Sequence, residues 1–339
     1  MSNLPKHILV IRLSAMGDVA MSVPVLTAFT QQYPDVRLTV LTREFFKPFF
    51  RDLPNVTVFA ADVKGKHKGA LGLHKLSKEL KKIKIEAVAD LHNVLRSNFL
   101  KLFLVGKPFF QIDKGRAEKK ALISGENVKQ LKTTQQRYVD VFEKLGFKID
   151  LTNPTFPQAK SLNEKTLQIT GIKETKWIGI APFAAYKSKM YPLDKMVDVV
   201  NALSKHYKVF LFGGGNKEIA FLQPLADTYK NVINLAGKLS LEEELDVISN
   251  LDLMLSMDSG NAHLAAMLGK KVVTIWGVTH PFAGFVPFNQ SENHQLLSDR
   301  EVFPKIPTSI YGNKFPEGYE QAAGSILPKE IVDRVISII

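Results

Sequence analysis

The stretch His7-Ile8-Leu9-Val10-Ile11-Arg12-Leu13-Ser14-Ala15-Met16-Gly17-Asp18 decides the fold. Its first seven residues form a near-continuous apolar run, the pattern of a strand buried on both faces in a parallel sheet. Gly17 closes the connecting loop, and the periodicity predicts a helix from there to about Gln32. Asp18 then projects from the C-terminal end of the strand, where open α/β sheets bind ligands. A carboxylate there can take a proton from a bound hydroxyl. Taken alone, the same acid fits a helix's first turn better, where the macrodipole stabilises it by about 0.3–1 kcal/mol. No G-x-G-x-x-G follows the strand, which argues against a dinucleotide site in this half.

Working outward, strands and helices alternate. Leu38–Leu41, Val56–Phe59 and Glu86–Leu91 read as further strands, and 133–145 as a helix. The Pro- and Asn-bearing segment 151–157 breaks that helix, so we expect domains at 1–155 and 156–339. The second half restarts the pattern: strand 177–181, helix 193–206, strand 209–212 into Gly213-Gly214-Gly215, helix 240–249, strand 253–256, helix 259–268 and strand 272–276. The expectation is an α/β protein of two Rossmann-like, doubly wound parallel-sheet domains facing a cleft. Residues 331–339 read as an amphipathic helix that could pack on either half.

A chain of 339 residues, 45% hydrophobic, suffices for two cores. It has no cysteine, which removes disulfides and thiolate chemistry and fits a reducing compartment. The N-terminus shows no signal-peptide pattern and no apolar run nears the ~20 residues of a membrane span, so a cytoplasmic protein is expected. The net charge of +12 is confined to one half: residues 1–150 hold 26 Lys+Arg against 14 Asp+Glu, and 151–339 hold 19 of each. Eight lysines and one acid, Glu79, fall between Lys64 and Lys84. Such asymmetry suits a polyanionic partner, although a solvated lysine face kept for solubility has the same composition.

Met257-Asp258-Ser259-Gly260-Asn261-Ala262-His263 repeats the strand-to-helix layout in the second half. The unpaired N–H groups of such a helix start attract a diphosphate, and small residues at 259 and 260 let it approach. An ordinary Asp/Ser cap with a core histidine fits the same residues. Gly213–Gly215 with Glu218 could meet a nucleotide, or simply turn. Lys187 and Lys189, between a strand and a helix, carry charge suited to phosphate. No Asp-x-Asp pair and no His spacing points to a metal, and no Walker A or RNA-binding motif occurs.

These segments together resemble the ADP-heptose:lipopolysaccharide heptosyltransferases, inverting and metal-independent enzymes of the GT-B fold. The resemblance runs from Ile8 to about Pro287 and rests on residues 12–18 with Pro24, on 257–266 and on 274–281. It implies Asp18 as catalytic base. It implies Lys189, Glu218, Asp258, Ser259, Gly260 and His263 as the donor side. Lys64, Lys66, Lys68, His92, Arg96 and Ser97 then fall on the acceptor side. It also implies an ADP-sugar co-substrate without a cofactor, an anionic lipid-anchored glycan as acceptor, and contact with the inner membrane surface, with no nucleic-acid partner. Asp-Ser-Gly stands for the family's usual Asp-Thr-Gly, and Tyr191 for a more usual Trp. A Rossmann-type NAD-dependent oxidoreductase or epimerase, and a basic nucleic-acid-binding protein, are the alternatives.

Overall fold

A computed structural model describes residues 4–339. The elements run β1 (His7–Ile11), α1 (Met16–Ala20), α2 (Ser22–Gln32), β2 (Arg37–Thr42), β3 (Val56–Ala60), α3 (Gly69–Lys81), β4 (Ala87–Asp90), α4 (Leu95–Phe103), β5 (Phe109–Gln111), α5 (Arg116–Ser124), α6 (Thr134–Lys144) and α7 (Glu164–Thr170). They continue as β6 (Trp177–Ala181), α8 (Leu193–Ser204), β7 (Lys208–Leu211), α9 (Asn216–Thr228), β8 (Val232–Asn234), α10 (Leu241–Asn250), β9 (Leu253–Met257), α11 (Gly260–Met267), β10 (Lys271–Trp276), β11 (Gln295–Leu297) and α12 (Pro328–Ile338). The chain parts into two compact units, one reaching Arg116 and including Lys132–Phe156, the other made of Ala117–Leu131 and Pro157–Ile339.

The first unit holds a parallel sheet in the order β3-β2-β1-β4-β5. β1 lies at its centre with every residue buried, which explains the unbroken apolar run. On one face Leu73, Leu76 and Leu80 of α3 and Leu100 of α4 pack on Leu9, Ile11 and Val88. On the other, Phe29 of α2 meets Phe142 of α6 and Phe147, with ring centroids 4.9 and 5.1 Å apart. Thr133 starts α6 with a reciprocal cap: its hydroxyl accepts the Gln136 N–H at 3.2 Å, and Gln136 accepts the Thr133 N–H at 2.8 Å.

The second unit holds a parallel sheet in the order β11-β10-β9-β6-β7-β8. Both units are thus doubly wound, as the alternation of strands and helices predicts. Within the second unit α12 sends Ile331 and Val335 into the core with Met196, Val199 and Leu203 of α8, which settles the placement that sequence left open. A single cut at 155/156 misses one feature, the segment Ala117–Leu131. Its Leu122 and Leu131 pack with Ala283, Phe282 and Phe285, and the Leu131 N–H donates to the Phe282 carbonyl at 3.0 Å. The Lys119 ammonium sits 4.3 Å from the Phe285 ring centroid.

The seating of α12 gives a direct test. Ile331→Ala, at a fully buried position, should lower unfolding free energy by about 2–5 kcal/mol in urea titration of the second unit's transition. Ile336→Ala, on the same helix but 47% exposed, should change it by about 0.5 kcal/mol or less. Equal losses would remove α12 from the core.

Candidate active site

Each sheet reverses its winding direction once, and the loops after the two strands at that point diverge to leave a crevice. In the first unit these strands are β1 and β4. Arg12, just past β1, is buried, and its guanidinium reaches Asp18 Oδ2 at 2.6 Å and the Leu91 carbonyl at 2.7 Å. Asp18 Oδ2 also accepts the Ala15 N–H at 3.2 Å. Oδ1 stands outside these bonds, and the Asp18 side chain is 30% exposed. The carboxylate is therefore fixed by one oxygen and open at the other. Tyr138 of α6, fully buried, donates its hydroxyl to the Asp18 carbonyl at 3.1 Å, and its ring lies 5.9 Å from the Arg12 guanidinium.

The loop after β4 is held by Asp90. Its Oδ1 accepts the N–H groups of His92 and Asn93 at 2.9 and 3.0 Å, and its Oδ2 accepts Gln111 Nε2 at 2.8 Å. His92 is buried with Nδ1 unpartnered. Burial first, then the charges of Arg12, Lys114 and Arg96, push its imidazole down to about 3 against the pull of Asp18. It is a neutral hydrogen-bonding group at ordinary pH. Lys114, beyond β5, is held below the usual lysine range by burial and by Arg12 and Arg116, while Asp18 and Asp90 oppose. One open carboxylate and a neutral imidazole thus share a crevice with several cations. Such a site can accept a proton from a hydroxyl and hold an anion.

In the second unit the reversal falls between β6 and β9. Lys189, after β6, donates to Asp258 Oδ2 at 2.8 Å, and Thr279 Oγ1 donates to the same oxygen at 2.8 Å. Asp258 is itself buried, so its carboxylate positions the lysine. The backbone around Lys189 is tightly enclosed. The Ser188 carbonyl accepts the Val278 N–H at 3.1 Å and would lie 2.2 Å from a Cβ on residue 277, so Gly277 is sterically required. A Cβ on Gly312, at φ +78°, would meet Lys189 Cγ at 2.5 Å. Ser259 caps α11 by position and its Oγ lies 3.0 Å from Ser256 Oγ. Gly260 opens the helix, and His263, one turn in, is buried. The first-turn N–H groups of α11 supply anion-binding dipoles.

Of the donor-side candidates, Lys189 and Asp258 are joined directly, and Ser259 and Gly260 follow at once. Glu218 lies in the first turn of α9, after β7, the strand beside β6, where it accepts the Gly214 N–H at 2.7 Å and steadies the preceding glycine turn. Tyr191 is buried and donates to the Ile326 carbonyl at 2.9 Å, a packing part. On the acceptor side, Ser97 must be corrected. It is fully buried and its hydroxyl both accepts the Val94 N–H and donates to the Val94 carbonyl, closing the first turn of α4. Lys66 pairs with Glu79 at 3.3 Å, and the turn carrying Lys64 and Lys66 is tied by Asp62, which accepts the Gly65 and Lys66 N–H groups. These lysines follow the edge strand β3, two strands from β1. The cations acting on His92 are Arg12, Lys114 and Arg96 instead. Sequence reasoning missed Arg12 as a partner of Asp18, together with Lys114, Thr279, Gly277 and Gly312. Arg12, Gly277 and Thr279 lay inside quoted motifs without a role, whereas nothing local marks Lys114 or Gly312.

The two depressed imidazoles have a stability consequence. His280 is pushed down to about 4 by burial and then Arg300. Below the ordinary value of 6.5 the unfolded chain binds protons at His92 and His280 that the folded chain refuses. Stability is therefore full above that pH and falls on acidification toward the folded values. Thermal midpoints should stay level down to about pH 7 and drop toward about pH 5, and His92→Gln should lessen the drop. An equal drop in that variant would contradict a neutral, buried His92.

Comparison with known proteins agrees with this architecture. The chain is 26% identical over 303 residues to the lipopolysaccharide core heptosyltransferase OpsX of Haemophilus influenzae, covering 85% of this chain and 84% of that one. A family 9 glycosyl transferase from Veillonella parvula superposes with a TM-score of 0.75 at 21% identity, covering 98% and 97% of the two chains. The Escherichia coli ADP-heptose heptosyltransferase II gives 0.70 at 20% identity, with 98% of each chain covered. Those structures share the GT-B fold seen here as two parallel-sheet units. Residues 73–308, more than half of the chain, match the model of glycosyltransferase family 9 (heptosyltransferase), and the protein is a member of that family of sugar-transferring enzymes.

Proposed function

We propose that the protein transfers a heptose from ADP-heptose to an anionic lipopolysaccharide-core acceptor, with inversion at the anomeric carbon. The observation that carries this reading is the division of chemistry between the two switch points. One bears an open carboxylate among cations, and the other a lysine held by a buried acid beside a helix start. Relatives named for lipopolysaccharide core heptosyl transfer and for ADP-heptose support the substrates.

In this reading the donor diphosphate lies on the first turn of α11, with Lys189 against its oxygens. An acceptor hydroxyl gives its proton to Asp18 as its oxygen attacks the anomeric carbon. The carbon–oxygen bond to the diphosphate breaks on the opposite face, and ADP leaves with that electron pair. Charge growing on the leaving phosphate falls on Lys189 and on helix N–H dipoles. Asp258 and Thr279 keep Lys189 from swinging away, a positioning part. Arg12 fixes the base, while Arg96, Lys114 and the lysines 64, 66 and 68 attract the anionic acceptor. Catalysis without a metal is part of this reading, as the family resemblance implies. The acceptor's lipid anchor puts the enzyme at the cytoplasmic face of the inner membrane. The dinucleotide and nucleic-acid alternatives gain nothing from the family membership.

Incubating the purified chain with ADP-heptose and a core acceptor should release ADP and yield a heptosylated product by mass spectrometry; no product with any ADP-sugar would overturn the reading. Asp18→Asn should lower turnover about 10²–10⁴-fold with donor affinity unchanged, the usual worth of a positioned base. Near-normal turnover would return Asp18 to a helix-start role. Lys189→Ala should weaken ADP binding by roughly 1.5–3 kcal/mol in calorimetry, with adenosine far less affected. Wild-type ADP binding should also survive EDTA.

A further inference from the structure

α3 and α4 lie side by side on one face of the first sheet, their inner sides filling its core. Their outer sides are unusual. On α4, Leu95, Phe99 and Leu102 recur at i, i+4 and i+7, a single helix face, and Val105 follows the helix end. Leu95 is 74%, Leu102 68% and Val105 81% exposed, and on α3 Leu71 is 87% exposed. Lone exposed apolar residues are commonplace, but an aligned stripe of this kind marks an interaction surface. Leu71, Lys75 and Lys78 repeat the same spacing on α3, and both lysines are exposed. The stretch Lys64–Lys84 has eight lysines, and its one acid, Glu79, is already engaged by Lys66 and His67.

The geometry points to this face as a docking surface for an anionic membrane, with Leu95, Phe99, Leu102, Val105 and Leu71 entering the interface and the lysines on lipid phosphates. Charge complementarity and apolar contact act together here, as two signals must for stable interfacial attachment. A polynucleotide would use the lysines and leave the apolar stripe in water. A second copy would set eight lysines against eight. The direction of the helices also matters. Each follows a strand of a parallel sheet, so both begin at the C-terminal edge, where Asp18 and His92 lie. The stripe starts at Leu95, next to Arg96, and runs away from the crevice. A lipid-anchored acceptor with its sugar at Asp18 would find its anchor's bilayer on this side; that orientation, unlike the docking itself, rests on the proposed acceptor.

The test is co-sedimentation of the full chain with vesicles of phosphatidylglycerol and phosphatidylcholine, against phosphatidylcholine alone, without donor or acceptor. The chain should partition onto the anionic vesicles. The triple variant Phe99→Gln, Leu102→Gln, Val105→Gln should lose about tenfold or more in partition coefficient. Lys75→Gln with Lys78→Gln should lose roughly fivefold per lysine, a difference that vanishes at high salt. Both variants should keep wild-type ADP binding, which checks their fold. Equal binding to neutral vesicles, or a triple variant that partitions like the wild type, overturns the proposal. So does tight duplex binding, or self-association abolished by the triple variant, without vesicle binding. Because no sugar substrate is present, vesicle binding without transferase activity would overturn the function and leave the surface. Transfer to a soluble acceptor without vesicle binding would do the reverse.

Discussion

A parallel sheet wound outward in both directions from its first strand has one place where neighbouring loops must part. The helix after the first strand covers one face and the helix after its neighbour covers the opposite face, so the two loops leave in opposite directions. In this protein the constraint operates twice, between β1 and β4 and between β6 and β9. Several of the candidate residues lie on the loops, or at the helix starts just past them, that border those gaps. Arg12, Asp18 and His92 border the first. Lys189, Asp258 and Ser259 border the second. The sheets are dry and fully buried at their centres, which fixes the loop ends and lets polar side chains at the gap be held by hydrogen bonds.

Each gap contains a charge that could not remain buried alone. Arg12 is matched by Asp18 and the Leu91 carbonyl, and Lys189 by Asp258 and the Thr279 hydroxyl. Such pairs contribute little to stability once desolvation is counted, yet breaking one leaves an uncompensated charge. Their value here is geometric. The Arg12 contact leaves Asp18 one oxygen for a ligand. The Asp258 contact holds the Lys189 ammonium at the end of β9, two residues before α11 begins. The glycines enforce the same restraint sterically, since any side chain at 277 would collide with the Ser188 carbonyl.

The fold was legible where burial was complete. β1, β6, β9 and β10 are covered on both faces, and their apolar runs show it. The three-residue edge strands β5, β8 and β11 were not legible, because half-covered strands that short have no distinctive composition. Missing β5 hid Lys114, whose place at the first gap depends on that strand. The resemblance put Ser97 on the acceptor side, but a serine three residues into a helix can turn back to its first turn, a choice that sequence does not record. The grouping of Ala117–Leu131 with the second unit depends on Leu122 and Leu131 meeting Phe282 and Phe285, a contact across more than a hundred residues. No local pattern encodes that distance.

The positive charge of the first half separates into two populations with different physics. Arg12 is buried against Asp18, and Lys114 is part-buried and close enough for the charges of both to act on it. The lysines of α3 and the preceding turn are exposed and act through solvent, where salt limits their reach to about 10 Å at 0.1 M. The second population cannot define a binding geometry, but it can bias which surface the molecule turns toward a polyanion. The first can discriminate among ligands already present, because a neutral His92 adds a hydrogen bond without adding charge. A net charge of +12 is therefore a poor description of the molecule. Its consequences depend on how the cations divide between a screened outer face and an enclosed gap, and α4, which begins at that gap, lies beside the lysine-bearing α3.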